Sequence, residues 1–199
     1  MTHYEVDSRP SSRQPIPDDA KKVFTGKLFD VYQWKQVLFD GSVATFEKLR
    51  RPDTAYVLPV AEGGRLMIVR QQQPGAQTVY GLIGGRVEAG ESPAAAAQRE
   101  LQEEAGLIPG ELHLWDSYQF LPKIDWAIYT YIARGCSATQ QALDAGEKIE
   151  LVELTFDELL KLAASEEFGD LEVALRLLRL SADPEQLAQA RELFASKRA

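Results

Sequence analysis

Apolar and polar residues alternate through KVFTGKLFDVYQWKQVLFDGSVATFEKL, around Val23 to Arg50, in a run rich in aromatic and β-branched side chains. That period of two, broken at Asp40-Gly41, predicts a hairpin or a small antiparallel sheet. Pro52-Asp53 ends the pattern. TAYVLPVA, RLMIVRQQQ and TVYGLIGG follow as three further strands, the first two joined by a turn at Glu62-Gly63-Gly64. The period lengthens to that of a helix at about 93–105, and strands are expected at about 113–120, 125–133 and 148–154. Helices at about 156–165, 170–180 and 184–197 close the chain. The first 17 residues, polar and punctuated by proline, read as a flexible arm in which His3 is idle. The order of elements predicts an α/β (α+β) fold: a mixed sheet covered by helices, with a small antiparallel sheet before it. The expected divisions are an arm over 1–17, a β segment over 18–52, a main domain over 53–181 and a terminal helix over 182–199.

A chain of 199 residues that is 45% hydrophobic can bury one good core, so one globular body is expected. Its net charge of −8 argues against a protein that tracks DNA or RNA phosphates, which would need clustered lysine and arginine. An anionic substrate would therefore require a divalent metal. The single cysteine, Cys136, fits a packing role and a reducing compartment. Without a signal-like or membrane-length apolar run, the cytoplasm is the expected location and no membrane partner is expected.

The segment GGRVEAGESPAAAAQRELQEEAGL, Gly84 to Leu107, changes the picture most. Ser92 suits the N-cap of its helix, Pro93 the first turn and Gly106 a left-handed stop. Ala94, Ala97, Leu101 and Ala105 form a narrow stripe of mostly small residues that would let the helix approach a sheet. Glu100, Glu103 and Glu104 fall on an adjacent arc, with Arg99 beside Glu103. Like charges so placed repel, and something positive should sit among them. Mg²⁺ or Mn²⁺ suits these hard oxygens, and Gly84-Gly85 would let a main-chain carbonyl join them.

Gly85, Glu91 and the run Arg99-Glu100-Leu101-x-Glu103-Glu104-x-Gly106-Leu107 match the Nudix box, G-x5-E-x7-R-E-U-x-E-E-x-G-U, at every fixed position. A chance match is on the order of 10⁻¹⁰ per starting position. The chain thus resembles a Nudix hydrolase. The resemblance implies an α/β/α sandwich that binds Mg²⁺, or Mn²⁺, and directs water at a diphosphate. It also implies that Glu100, Glu103, Glu104 and the Gly84 carbonyl are metal ligands, with Glu91 and Arg99 supporting them.

Outside the box the chain resembles the branch that cleaves ADP-ribose and nucleoside diphosphate sugars. Its early strands, YVLPVAEGGRLMIVRQQQ, Pro122 and the closing segment ELTFDELLKLAASEEFGDLEVALRLL all have counterparts there. It departs from that branch where RQQQPG lacks an arginine close after the glutamine, and where Gly81 and Ile83 replace a carboxylate and a proline. The branch implies a homodimer built through the N-terminal sheet, whose aromatic residues Phe24, Phe29, Tyr32, Trp34 and Phe39 are expected to pack the core or that interface. Arg50, Arg51 and Arg70 are the candidate substrate-binding residues, as guanidiniums suit phosphate oxygens. The branch's glutamate after the downstream proline, its proposed base, corresponds here to Asp125. Between Ile124 and Trp126 that carboxyl is expected to be partly desolvated, with a raised pKa. Other readings are a non-catalytic nucleotide-sugar sensor and a hydrolase of nucleoside triphosphates or capped RNA. The intact glutamates and the absence of an appended DNA-binding segment favour the sugar-nucleotide hydrolase.

Overall fold

The computed structural model describes residues 8–143, 146 and 148–195. Two sheets organise them. In the smaller, β1 (Lys21–Thr25), β2 (Asp30–Val37) and β3 (Val43–Arg50) run antiparallel, with β2 turning into β3 around Asp40-Gly41 as the alternation predicts. In the larger, β4 (Thr54–Val60) is central. On one side β5 (Leu66–Gln72) runs antiparallel to it; on the other lies a strand expected at 125–133.

That expected strand is two. β10 (Ile124–Asp125) adds to β3 in parallel, and after Trp126 the chain crosses to the larger sheet as β11 (Ala127–Arg134), parallel to β4. TVYGLIGG also divides, at Leu82, into β6 (Val79–Gly81) on β5 and β7 (Ile83–Arg86) on β4. The Leu82 amide donates to Asp170 Oδ2 at 2.7 Å, and this turns the chain from one neighbour to the other. β9 (Glu111–Gln119) and β13 (Lys148–Leu154) form the two edges of the larger sheet, and β8 (Leu107–Ile108) makes a short pair with β12 (Ser137–Ala138).

Helices cover both faces, because inner residues alternate between them. Ala55, Val57, Ile83 and Tyr129 meet Ala96, Ala97 and Leu101 of α1 (Pro93–Ala105). Leu58, Ile68, Ile128 and Ile132 meet Phe156 and Leu159 of α2 (Phe156–Ala163), Leu177 of α3 (Leu171–Ser181) and Phe194 of α4 (Pro184–Phe194). The result is an α/β/α sandwich with a mixed sheet. α4 belongs to the core: Phe194 stacks on Phe156 at 4.7 Å and meets Trp115 edge-on at 5.3 Å.

Two expectations need correction. The stripe of α1 is shifted, with Ala96 fully buried and Ala94 only partly so. The arm is tied down where it is described: Lys48 Nζ, on a residue 1% exposed, donates to Ser12 Oγ at 2.6 Å and to the Gln14 carbonyl at 2.7 Å. A buried ammonium left without acceptors would be costly, so these contacts hold the arm as much as they satisfy the lysine. His3 lies outside the described residues, as does the predicted extension of α4 beyond Ala195.

Candidate active site

α1 is placed by local chemistry. Ser92 Oγ accepts from the Ala95 amide at 3.1 Å, Pro93 fills the first position, and Gly106 ends the helix in the left-handed region at φ +61°. At its C-terminal end the Ala142 amide donates to the Glu103 carbonyl at 2.9 Å and Gln141 Nε2 to the Glu104 carbonyl. The sequence gives no local sign of this loop, which satisfies carbonyls that the helix itself cannot.

β7 lies alongside, and its two glycines fit different needs. A Cβ at Gly85 would stand 2.3 Å from Glu100 Oε1, so the missing side chain is the space the carboxylate occupies. Gly84 adopts φ +149°, where a Cβ would strike the Ala55 carbonyl at 2.3 Å, and its amide donates to Glu104 Oε2 at 3.0 Å. Glu104 is 7% exposed and anchored to the sheet, whereas the Glu103 side chain is 44% exposed, far more open than that of Glu100 at 14%.

Arg99 places a positive charge among these carboxylates. Its Nε donates to Glu91 Oε1 at 3.1 Å, and its Nη1 to Glu100 Oε1 at 2.8 Å and Glu103 Oε2 at 3.0 Å. Nη2 reaches the Arg86 carbonyl at 3.0 Å and so ties helix to loop. The hydrogen bonds that Arg99 donates to Glu91 lead the effects that raise the Arg99 pKa, whereas burial pushes Glu91 up but is outweighed by Arg99 and the Glu88 amide, which lower it. Among the described residues no three His, Cys, Asp or Glu side chains are gathered as metal ligands in this arrangement. The donors nevertheless suit a hard divalent ion, because Glu100, Glu103 and Glu104 offer only oxygens and Gly85 leaves room beside one of them. Loading would require Glu100 and Glu103 to turn from Arg99.

Asp125 does not meet the expectation placed on it. The residue is 5% exposed, with Oδ1 accepting from Arg9 Nη1 at 2.8 Å and Oδ2 from Arg50 Nε at 2.7 Å. Burial pushes its carboxyl up, but hydrogen bonds from Arg9, Arg50 and Gln119 prevail and hold it at about 2. The raised pKa is thereby overturned: neighbouring apolar residues in sequence did not show two guanidiniums arriving from elsewhere. Arg9, read as part of a flexible arm, also pairs with Asp53 through Nε at 2.8 Å and Nη2 at 2.9 Å. Asp53 in turn accepts from the Ala127 amide at 2.8 Å, and its carbonyl accepts from the Val87 amide at 2.9 Å, joining the box loop to the start of β11.

The other arginines are dispersed. Arg50 is engaged by Asp125 and lies over the Tyr32 ring at 4.8 Å. Arg70 pairs with Glu150 at 3.2 Å on the exposed β5–β13 pair, and among the described residues no ion pair joins it to the box. Arg51 stacks over Trp126 at 4.2 Å, its Nε buried without a partner among the described residues, and burial lowers its pKa. Gly81 has a physical counterpart as well: Asp170 Oδ2 would lie 2.7 Å from a Cβ there, so a carboxylate from the start of α3 takes the space.

The chain is similar to known proteins in sequence and fold. A family model described as the NUDIX domain matches residues 50–176. The ADP-ribose pyrophosphatase of Bacillus subtilis (strain 168) is 30% identical over 158 residues, covering 77% of this chain and 85% of the relative. A methanol dehydrogenase activator of Bacillus methanolicus is 29% identical over 145 residues, covering 71% and 78%. A crystal structure of an ADP compounds hydrolase superposes with a TM-score of 0.69 at 22% identity, covering 91% of this chain and 98% of its own, which supports the fold. The chain belongs to the NUDIX family and is a Nudix hydrolase.

Proposed function

We propose that this hydrolase cleaves the diphosphate of ADP-ribose, or of a related nucleoside diphosphate sugar, to a nucleoside monophosphate and a sugar phosphate. The observation that carries the chemistry is the pairing of Gly85 with Glu100 and of Gly84 with Glu104, which sets two box carboxylates against a strand. The similarity to the Bacillus subtilis pyrophosphatase supports the substrate class. Glu100, Glu103, Glu104 and the Gly84 carbonyl would hold Mg²⁺, with Mn²⁺ as a substitute. When bound, the metal neutralises diphosphate charge and lowers the pKa of the attacking water.

The protein's own part is positioning. Glu91 and the Arg86 carbonyl would keep Arg99 in place with Glu100 and Glu103 given over to the metal. Glu103, the more open of the two carboxylates that Arg99 releases, orients the water. Asp125, already an anion bound by Arg9 and Arg50, is a weak proton acceptor and serves to hold the small sheet to the larger one. Arg51 is the arginine left to meet the substrate, since Arg50 and Arg70 have carboxylate partners. The sheet of β1–β3 forms a homodimer interface, and the cytoplasm is the site of action.

Purified protein with Mg²⁺ or Mn²⁺ and a panel of ADP-ribose, ADP-glucose, GDP-mannose, NADH, diadenosine polyphosphates and coenzyme A tests the reading, with released phosphomonoester as the measurement. ADP-ribose or another sugar nucleotide should rank first, and Glu103→Gln should lower that rate by about 10² or more. Preference for a nucleoside triphosphate or capped RNA in an extended panel would move the substrate class. No hydrolysis, together with stimulation of a methanol dehydrogenase, would replace the reading with an activator role.

A further inference from the structure

β9 contains an extra residue. Thr130 of β11 pairs with Asp116 and Tyr131 with Leu114, which leaves Trp115 unpaired in a β-bulge. A bulge re-aims side chains, and here two successive ones turn toward the layer of α3 and α4. Trp115 meets Phe194 of α4, and Asp116 Oδ2 accepts from Arg176 Nε of α3 at 2.7 Å.

Between the bulge and these helices lies a cavity of about 190 Å³. Trp115 and Tyr118 line it from the sheet, with Thr130, a residue only 3% exposed, and Leu177 and Leu180 line it from α3. It lies across the sheet from the box, because Tyr129 and Tyr131, on either side of Thr130, pack in the cluster of α1. Its volume is below the usual range for drug-sized ligands and suits a single ring rather than a nucleotide.

Its charge is opposite to that of the chain as a whole. Arg176 and Arg179 both line the cavity, three residues apart on one helix face. Arg176 is held by Asp116 and over the Tyr118 ring at 4.8 Å, whereas among the described residues no carboxylate pairs with Arg179. Among the described residues one positive charge thus stands unpaired with a carboxylate at an aromatic-walled cavity, in a protein of net charge −8.

We propose that this cavity binds a small single-ring aromatic anion, its carboxylate or phosphate held by Arg176 and Arg179 and its ring set between Trp115 and Leu177. The site is independent of the box and of its substrate. Calorimetric titration of the full chain with benzoate, phenyl phosphate, benzyl alcohol and inorganic phosphate tests it. Saturable binding of benzoate or phenyl phosphate is expected, and the stronger of the two identifies the head group. Benzyl alcohol and inorganic phosphate should each bind at least about tenfold more weakly, because each supplies only half of the recognition.

Arg179→Gln, at an exposed position, should weaken the aryl anion by about tenfold with unchanged thermal stability, and Glu103→Gln should leave it unchanged. Thr130→Val removes the hydroxyl while keeping shape, and gives a second variant from a different wall. Saturation absent up to about 10 mM for both aryl anions would overturn the proposal. So would binding that survives both Arg179→Gln and Thr130→Val.

Discussion

Gly85 and Glu100 share one space: a Cβ on the first would lie 2.3 Å from Oε1 and 2.7 Å from Cδ of the second. The obstructing atoms are the end of a flexible side chain, which can move. At Gly84 the obstruction is backbone, the Ala55 carbonyl at 2.3 Å and Tyr56 Cα at 2.8 Å, and φ is +149°. Gly85→Ala should therefore lower turnover by about tenfold or more while leaving the melting temperature nearly unchanged. Gly84→Ala should cost about 2–4 kcal/mol of stability. Thermal melts beside steady-state rates separate the two, and equal destabilisation would refute the distinction.

Asp125→Asn is expected to act on stability more than on turnover. The carboxyl is held at about 2 in the folded protein, against an ordinary value of 3.8, so its ionised form favours folding. That contribution is present above the unfolded value and is lost as pH falls from about 4 to about 2; with partly exposed arginine partners it is worth about 1–2 kcal/mol at neutral pH. Denaturant melts should show a loss of that order in Asp125→Asn, with kcat changed by less than about fivefold. A fall in kcat of about 10² at normal KM would restore Asp125 as the base.

What was legible in the sequence was local. Ser92, Pro93 and Gly106 mark α1 within one turn of its ends, and helical spacing alone puts Glu100 and Glu104 on one side. The breaks at Leu82 and Trp126 were not legible, because their causes are distant. Leu82 is turned by a carboxylate 88 positions away, and Trp126 sits where the chain passes between sheets whose pairing depends on β3 and β4. Arg9 reaches across 116 positions to Asp125, and nothing in SRPSSR distinguishes that arginine from a solvated one. The Arg99–Glu103 pair was legible too, because four residues of helix bring the two side chains together.

The small sheet should pair with a second copy. Val23, Phe24, Val37, Phe39 and Val43 are each more than half exposed, Phe39 completely so, on three neighbouring strands and the turn between two of them. An apolar area of this kind on one face usually marks an interface. Sedimentation at micromolar concentration should give a dimer, and the double variant Phe24→Ser, Phe39→Ser a folded monomer, since neither side chain supports the core. A wild-type monomer would sink the interface, and a dimer unaffected by the double variant would place it elsewhere.

Asp170 should make the protein less stable as pH rises toward neutrality. Burial pushes its carboxyl up to about 7; the Leu82 amide and the Tyr56 hydroxyl oppose this, and the Glu172 charge adds to it. Glu172 Oε1 already accepts the Tyr56 hydroxyl at 2.6 Å, so that one proton cannot fully serve both acids. Between about pH 4 and 7 the unfolded chain ionises Asp170 while the folded chain keeps its proton, and the folded state binds more protons. Stability from this group accordingly declines across that window and levels off above about 7. Asp170→Asn keeps an oxygen for the Leu82 amide and cannot ionise, so the decline should shrink by about 1–3 kcal/mol relative to the wild type. Melts of both proteins at about pH 4.5, 6 and 7.5 read the difference directly, with common contributions from other groups cancelling. Parallel curves would mean that Asp170 is as fully ionised in the folded protein as in the unfolded chain across this range.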